Sequence, residues 1–196
     1  TEQPDLFGEI LAGPKEKVSQ VDLHIEKENR YIPFIPAVRA EEAYLEISNH
    51  SELEEIAINC NKCRLRATCR QVILGEGKTN SKLMLIGEGP GKDEDRGGRP
   101  FIGRAGQLLD RILQAADLPR EEVYLSNVVK CRPPGNRLPN PDEIRECRNY
   151  LEAQIRIIKP RIIVCLGAIA SQVVIDPKAK ISRIRGHWFA RNNTSI

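Results

Sequence analysis

An α/β chain built around a mostly parallel sheet is predicted by three features of this sequence. Short apolar runs alternate with amphipathic helical stretches. Each run opens into a loop that glycine or proline keeps irregular, and the longest helical stretch carries a clear start signal. The architecture expected is three layers, α/β/α, around a central, mostly parallel, four-stranded sheet. Its fourth strand would only be starting where the sequence reaches Ile196.

The first strand is Lys82–Gly87, an apolar run short enough for a strand buried on both faces. It opens into Glu88-Gly89-Pro90-Gly91, which cannot be regular structure. A helix follows at about Arg104–Ala116, with Leu108, Leu109, Ile112 and Leu113 on one face, and Leu118-Pro119 ends it. The second strand, Val123–Val129, runs into the loop Lys130–Arg137. Asn140-Pro141-Asp142-Glu143 then starts a helix in three ways at once: a capping amide, proline at the first helical position, and acid in the first turn. That helix reaches about Ile158 and stops before Pro160; Arg161–Gly167 is the third strand, and a short helix covers Ala168–Val174. Upstream, Ser51 with Glu54 three residues on marks a short helix that delivers Cys60 and Cys63 at its end. Ligands of such sheets bind outside the carboxyl ends of the strands. Here those ends are Gly87–Gly91, Asn127–Arg132 and Gly167, which should converge on one crevice.

Residues 1 to about 47 are acidic, carry four prolines and lack sustained periodicity, so they are expected to be a flexible extension before a domain over 48–196. The net charge of +3 hides a division: residues 1–59 hold 5 Lys/Arg against 13 Asp/Glu, whereas the remainder holds 25 against 14. A basic domain suits a polyanion, although solvated surface charge explains the same numbers. No apolar run approaches the ~20 residues of a membrane span, and the first residues lack the basic-then-apolar pattern of a signal peptide. A cytoplasmic monomer is the plain expectation.

Six cysteines in such a chain argue for metal or catalysis over disulfides. Cys60 and Cys63 form a C-x2-C pair, and Cys131 and Cys147 stand at a strand end and one turn into the next helix. Four thiolates suit structural zinc or a 4Fe–4S cluster, and the spacing alone leaves both open. Cys69 could replace one ligand; Cys165, inside an apolar strand, reads as core.

Two segments are more specific. Gly87-Glu-Gly-Pro-Gly-Lys-Asp-Glu-Asp95 with Gly98–Leu109, and Ser126-Asn-Val-Val-Lys-Cys-Arg-Pro-Pro-Gly-Asn136, resemble the first and second motifs of the iron–sulfur (family 4) uracil-DNA glycosylases, over about residues 53–190. The resemblance implies a 4Fe–4S cluster on Cys60, Cys63, Cys131 and Cys147. It also implies a uracil pocket of Glu88, Gly89, Pro90, Gly91, Glu94, Phe101 and Asn127, with Glu88 and Asn127 as the catalytic pair. Phe101 is similar to the stacking aromatic and Asn127 to the edge reader. Glu94 resembles the residue beside uracil C5, and Gly89 and Gly91 would bring backbone N–H groups to uracil O2. Each has a plainer alternative: core packing for Phe101, a turn for Asn127, an exposed acidic cluster for Glu94. Lys130, Arg132, Asn136 and Arg137 are expected to meet DNA phosphates, unless they are only solvated loop charge.

The chain departs from the family in one respect. Relatives carry a C-terminal His-Pro motif whose histidine steadies the leaving uracil, while His24, His50 and His187 here all lack a following proline. The expectation is a C-terminally incomplete glycosylase, with His187 no substitute. The alternative is a non-catalytic, cluster-containing DNA-binding module; an electron carrier or a zinc module would leave the Gly-Glu-Gly-Pro-Gly loop and Asn127 unexplained. Gln3, Leu6 and Phe7, in Gln-Pro-Asp-Leu-Phe, resemble peptides that bind the bacterial sliding clamp.

Overall fold

Strands Leu83–Gly87 (β2), Tyr124–Asn127 (β3) and Ile162–Cys165 (β4) form the centre of the sheet in the computed structural model, which describes residues 30–31, 42–191 and 194–196. β2 pairs in parallel with β3 on one side (Gly87 opposite Asn127) and with β4 on the other (Ile86 opposite Cys165). Successive side chains of a strand point to opposite faces, so β2 serves two cores at once. Met84 and Ile86 join Tyr124, Leu151, Ile163 and Val174 on one face; Leu83 and Leu85 join Leu109, Leu113, Val123 and Ile162 on the other. Helix Arg104–Ala115 covers the second face; helices Pro141–Ile158 and Ala168–Val174 cover the first. The three-layer expectation holds.

The sheet has six strands where four were expected, in the order β1-β5-β6-β4-β2-β3. Thr194–Ser195 (β6) lies parallel to β4, in the place anticipated for a fourth strand. Phe189–Arg191 (β5) pairs with β6 antiparallel, and Arg30–Tyr31 (β1) adds to β5 in parallel. Strands of two or three residues are too short to show a period, which is why β1 and β5 escaped the sequence reading.

Helices Glu42–Glu46 (α1) and His50–Ile58 (α2) pack outside the long helix Pro141–Ile158 (α5). Lys92–Gly97 (α3) and Arg104–Ala115 (α4) precede it in the chain; Ala168–Val174 (α6) and Ile181–Ile184 (α7) follow. Tyr44 meets Tyr150 edge-on at 5.1 Å, and Arg156 Nη2 donates to the carbonyls of Tyr44 and Ile47, both at 2.7 Å. The domain boundary expected near 47 therefore falls inside packed chain. α2 is also capped two residues earlier than expected: Asn49 Oδ1 accepts from Glu52 N at 2.9 Å, and Ser51 is an exposed first-turn residue. An Asn two residues before the serine competes for the same job and is at least as good a cap. The start of α5 is as anticipated, with Asn140 capping and Glu143 Oε2 accepting from Asn140 N at 2.7 Å.

Candidate active site

The loops that leave β2 and β3 are tied together as they emerge. Val128 N donates to Gly87 O at 2.9 Å and Val129 N to Glu88 O at 3.1 Å, while Leu166 N, past β4, donates to Ile86 O at 2.8 Å. All three strand ends therefore meet on one side, as the sequence suggested.

Over Gly87 two of the side chains expected in the pocket come together. A Cβ placed on Gly87 would sit 2.6 Å from Asn127 Oδ1 and 2.7 Å from the Phe101 ring, so only glycine lets both approach. Asn127 is 3% exposed. Its main-chain carbonyl accepts from Lys130 Nζ at 2.6 Å, while its side-chain amide makes no hydrogen bond to the described residues and opens on the crevice. An amide at the end of a buried strand that bonds no protein group keeps its donor and its acceptor for whatever enters the crevice. Phe101 is half-buried and holds a left-handed backbone, φ 53°, that a bulky residue adopts only when its surroundings impose it.

Glu94 carries that surrounding on one side. Its Oε1 accepts from Ile102 N at 2.9 Å and Gly103 N at 2.8 Å, and its Oε2 from Gly91 N at 3.1 Å. This corrects two expectations. Glu94 is a buried bracket between the Gly91 and Phe101 loops and no member of an exposed acidic cluster. The N–H of Gly91 is spent on Glu94, leaving that of Gly89 without a protein acceptor among the described residues. Pro90 is buried between them. Glu88 is half-buried, and burial alone pushes its carboxyl above the usual carboxylate range.

The loop after β3 divides its basic residues. Lys130, expected on DNA, is 1% exposed, and its Nζ donates to Ser126 Oγ (2.8 Å), Asn127 O (2.6 Å) and Gln154 Oε1 (2.6 Å). Three acceptors for three protons leave nothing for a phosphate, so that assignment is withdrawn. Burial pulls the amine down to about 7, but three oxygens at hydrogen-bond distance suit an ammonium and would face the lone pair of a neutral amine. Gln154 Nε2 passes the network on to Tyr124 Oη at 2.9 Å, which lies 2.6 Å from His50 Nε2. Arg137 forms a two-pronged pair with the buried Glu143, at 2.8 and 2.7 Å, and thereby fastens the loop to the start of α5. Arg132 Nε donates to Asn136 Oδ1 at 2.7 Å; Asn136 is exposed and Arg132, like Arg137, half-buried.

Five thiols gather behind this loop. Cys60 follows the end of α2, and Cys63 heads the turn Arg64–Ala67, its sulfur accepting backbone N–H bonds from Leu65 and Arg66. Cys147 Sγ accepts from Lys130 N at 3.4 Å. Burial pushes Cys147 up to about 12, with Cys63 and Cys60 adding to the effect, and raises Cys131 as well, with Cys69, Cys147 and Cys63 adding. Cys69 hydrogen-bonds Cys131, while Cys165 is raised by burial alone and belongs to the core. Among the described residues no three His, Cys, Asp or Glu side chains stand close enough to hold a metal ion as they are.

His187 is exposed, with Nδ1 3.3 Å from Ile184 O, and His50 is engaged with Tyr124. Gln3, Leu6 and Phe7 lie outside the described residues. Three site residues had no signal in the sequence: Gln154, Tyr124 and Arg120. Arg120 donates to the carbonyls of Pro100 and Phe101 and stands 44 residues beyond Glu76, one of its two acidic partners, a pairing no local pattern could reveal.

A family model, "Uracil DNA glycosylase superfamily", matches residues 74–194. The type-4 uracil-DNA glycosylase of Thermotoga maritima is 47% identical over 129 residues, 65% of this chain and 67% of that one. That of Archaeoglobus fulgidus is 43% identical over 133 residues, 66% and 67%. A type-5 uracil-DNA glycosylase of Thermus thermophilus is less similar, 34% over 116 residues and 52% of each chain. With a family model matching most of its length, and the unpaired Asn127 amide and Phe101 meeting over Gly87 within that match, the chain belongs to the uracil DNA glycosylase superfamily.

Proposed function

We propose that this chain is a type-4 uracil-DNA glycosylase, a hydrolase that removes uracil from DNA in base excision repair. The observation that carries the reading is the amide of Asn127, which bonds to none of the described residues and stands beside the Phe101 ring over Gly87. Uracil must leave the stack before its glycosidic bond can be reached. Phe101 would then stack on the flipped base. The Asn127 amide would accept from N3–H and donate to O4, whereas cytosine presents the reverse pattern. As the C1′–N1 bond breaks, its electron pair passes to uracil N1 and spreads to O2 and O4, and water adds at C1′. The free N–H of Gly89 is suited to meet the growing charge on O2. Glu88, a carboxylate kept partly from water, would face the cationic sugar. Glu94 acts by holding the two loops in register.

Cys60, Cys63, Cys131 and Cys147 would hold a 4Fe–4S cluster. The donor chemistry fits: four thiols from three segments, two of which accept backbone N–H bonds that favour the thiolate. Neutral thiols do not attract one another, so their present spread is what iron would close. The cluster would supply a fixed anchor for the Cys131–Arg137 loop, whose Arg132 and Asn136 are placed to meet phosphates. Action on DNA suits a cytoplasmic, nucleoid-associated monomer; no helix among the described residues is long and apolar enough to cross a membrane. The Gln3, Leu6, Phe7 peptide would tether it to a sliding clamp, a reading that fails if Leu6→Ala with Phe7→Ala leaves clamp affinity unchanged.

Uracil release from a single-stranded oligonucleotide by anaerobically purified protein tests the main reading. Asn127→Ala should lower the rate about 100-fold or more while thermal stability holds. An equal rate for the variant would sink the assignment of Asn127.

A further inference from the structure

The loop that presents Phe101 is clamped on its carbonyl side by one guanidinium. Arg120 Nη2 donates to Pro100 O at 2.7 Å and Nη1 to Phe101 O at 3.1 Å. The same Nη1 reaches Asp110 Oδ1 at 2.6 Å, and Nε reaches Glu76 Oε1 at 3.4 Å. Arg99 in turn holds Glu76 through two bonds, at 2.7 and 2.8 Å. Every arm of Arg120 is thus committed, in a fixed plane, to two successive carbonyls and two carboxylates. Gly106 also abuts the Phe101 carbonyl, so closely that any Cβ there would collide with it. The N–H groups that follow, Ile102 and Gly103, end on Glu94.

We infer that Arg120 is a positioning residue for Phe101: it imposes the left-handed backbone that turns the ring over Gly87, and so sets the preference for uracil. The inference rests on the reading that Phe101 stacks on the base. A left-handed phenylalanine relaxes towards ordinary backbone angles unless something holds it, and the geometry gives that task to a planar fork. A lysine at 120 keeps the charge but cannot bridge two carbonyls and both acids.

The test is a double-mutant cycle of Arg120→Lys with Phe101→Ala in the full chain. It is read by fluorescence anisotropy on a single-stranded oligonucleotide carrying one 2′-fluoro-deoxyuridine, whose glycosidic bond resists cleavage, against its thymidine counterpart. Phe101→Ala should reduce the uracil preference about tenfold, Arg120→Lys should reduce it comparably, and the double variant should be no worse than Phe101→Ala alone. Asp110→Asn loosens the same guanidinium from its exposed end. It should cost about two- to threefold, again only when Phe101 is present, which keeps the test open should Arg120→Lys fold poorly. Melting temperatures of all variants separate folding from positioning. Independent, multiplying losses from Arg120→Lys and Phe101→Ala would overturn the inference while leaving the stacking role intact. No loss on Phe101→Ala would overturn the stacking role, and the inference with it.

Discussion

The two walls of the crevice are built in opposite ways. Asn127 stands at the end of a central strand, and its carbonyl rests on the wholly buried Lys130, within a closed polar network of Ser126, Gln154 and Tyr124. Phe101 stands on a loop, in a strained conformation, held by side chains at the protein's edge: Arg120 with 20% of its side chain exposed, Glu76 with 27%, Arg99 with 61%. Asn127 thus has a rigid foundation. Phe101 has an ionic one, adjustable and open to salt, which suits the stacking role proposed for it.

That contrast gives its largest expected effect at Lys130. Lys130→Met removes the ammonium from the Asn127 carbonyl, Ser126 Oγ and Gln154 Oε1 in a dry interior, leaving Ser126 and Gln154 bonded to each other and to the Leu74 carbonyl. It should cost on the order of 3 kcal/mol, seen as a fall in melting temperature of roughly 6–12 °C. A near-neutral result would mean that the buried cation contributes no net stability and that the foundation is packing alone.

Glu94→Ala should come next. It leaves the N–H groups of Gly91, Ile102 and Gly103 without their acceptor, about 1–2 kcal/mol, with the denaturation midpoint lowered and its slope unchanged. Amide exchange at Ile102 and Gly103 should speed up while that at Val128 and Val129 does not. Equal acceleration at all four would show the two walls to be one unit. Arg99→Ala should cost under about 0.5 kcal/mol, and less again in 1 M salt, because the pair it breaks is mostly solvated.

The same contrast explains what could be read from the sequence. The Asn127 wall was legible because a buried strand shows in a run of apolar residues: Tyr124–Asn127 and its partner Leu83–Gly87 lie within the predicted runs, although the strand ends at Asn127, two residues before the expected Val129. The Phe101 wall was legible only as a Gly-Arg-Pro-Phe string, since its shape depends on Arg120 and Glu76, 19 and 25 positions away. Lys130 misled for a related reason. Lys130, Arg132 and Arg137 look alike in a basic loop, and only the third dimension assigns the first to the core, the second to the surface and the third to Glu143.

Glu88, on the stretch that joins the walls, gives the smallest effect and the sharpest sign. Its carboxyl is raised by burial and has no hydrogen bond or cation among the described residues to offset that cost. A carboxyl whose folded pKa lies above its unfolded value stabilises the fold fully below the unfolded pKa, and that stability is lost as pH rises through the folded pKa. At pH 7.5 the charge is therefore a standing penalty. Glu88→Gln should raise the melting temperature there, by a few tenths of a kcal/mol once solvent screening is allowed for, and the gain should vanish near pH 4 where both side chains are neutral. Uracil release should fall in the same variant. A residue that costs stability and yields activity is held for its chemistry. If instead Glu88→Gln lowers the melting temperature at pH 7.5, the carboxylate is satisfied in the fold, and its place beside the sugar loses its physical motive.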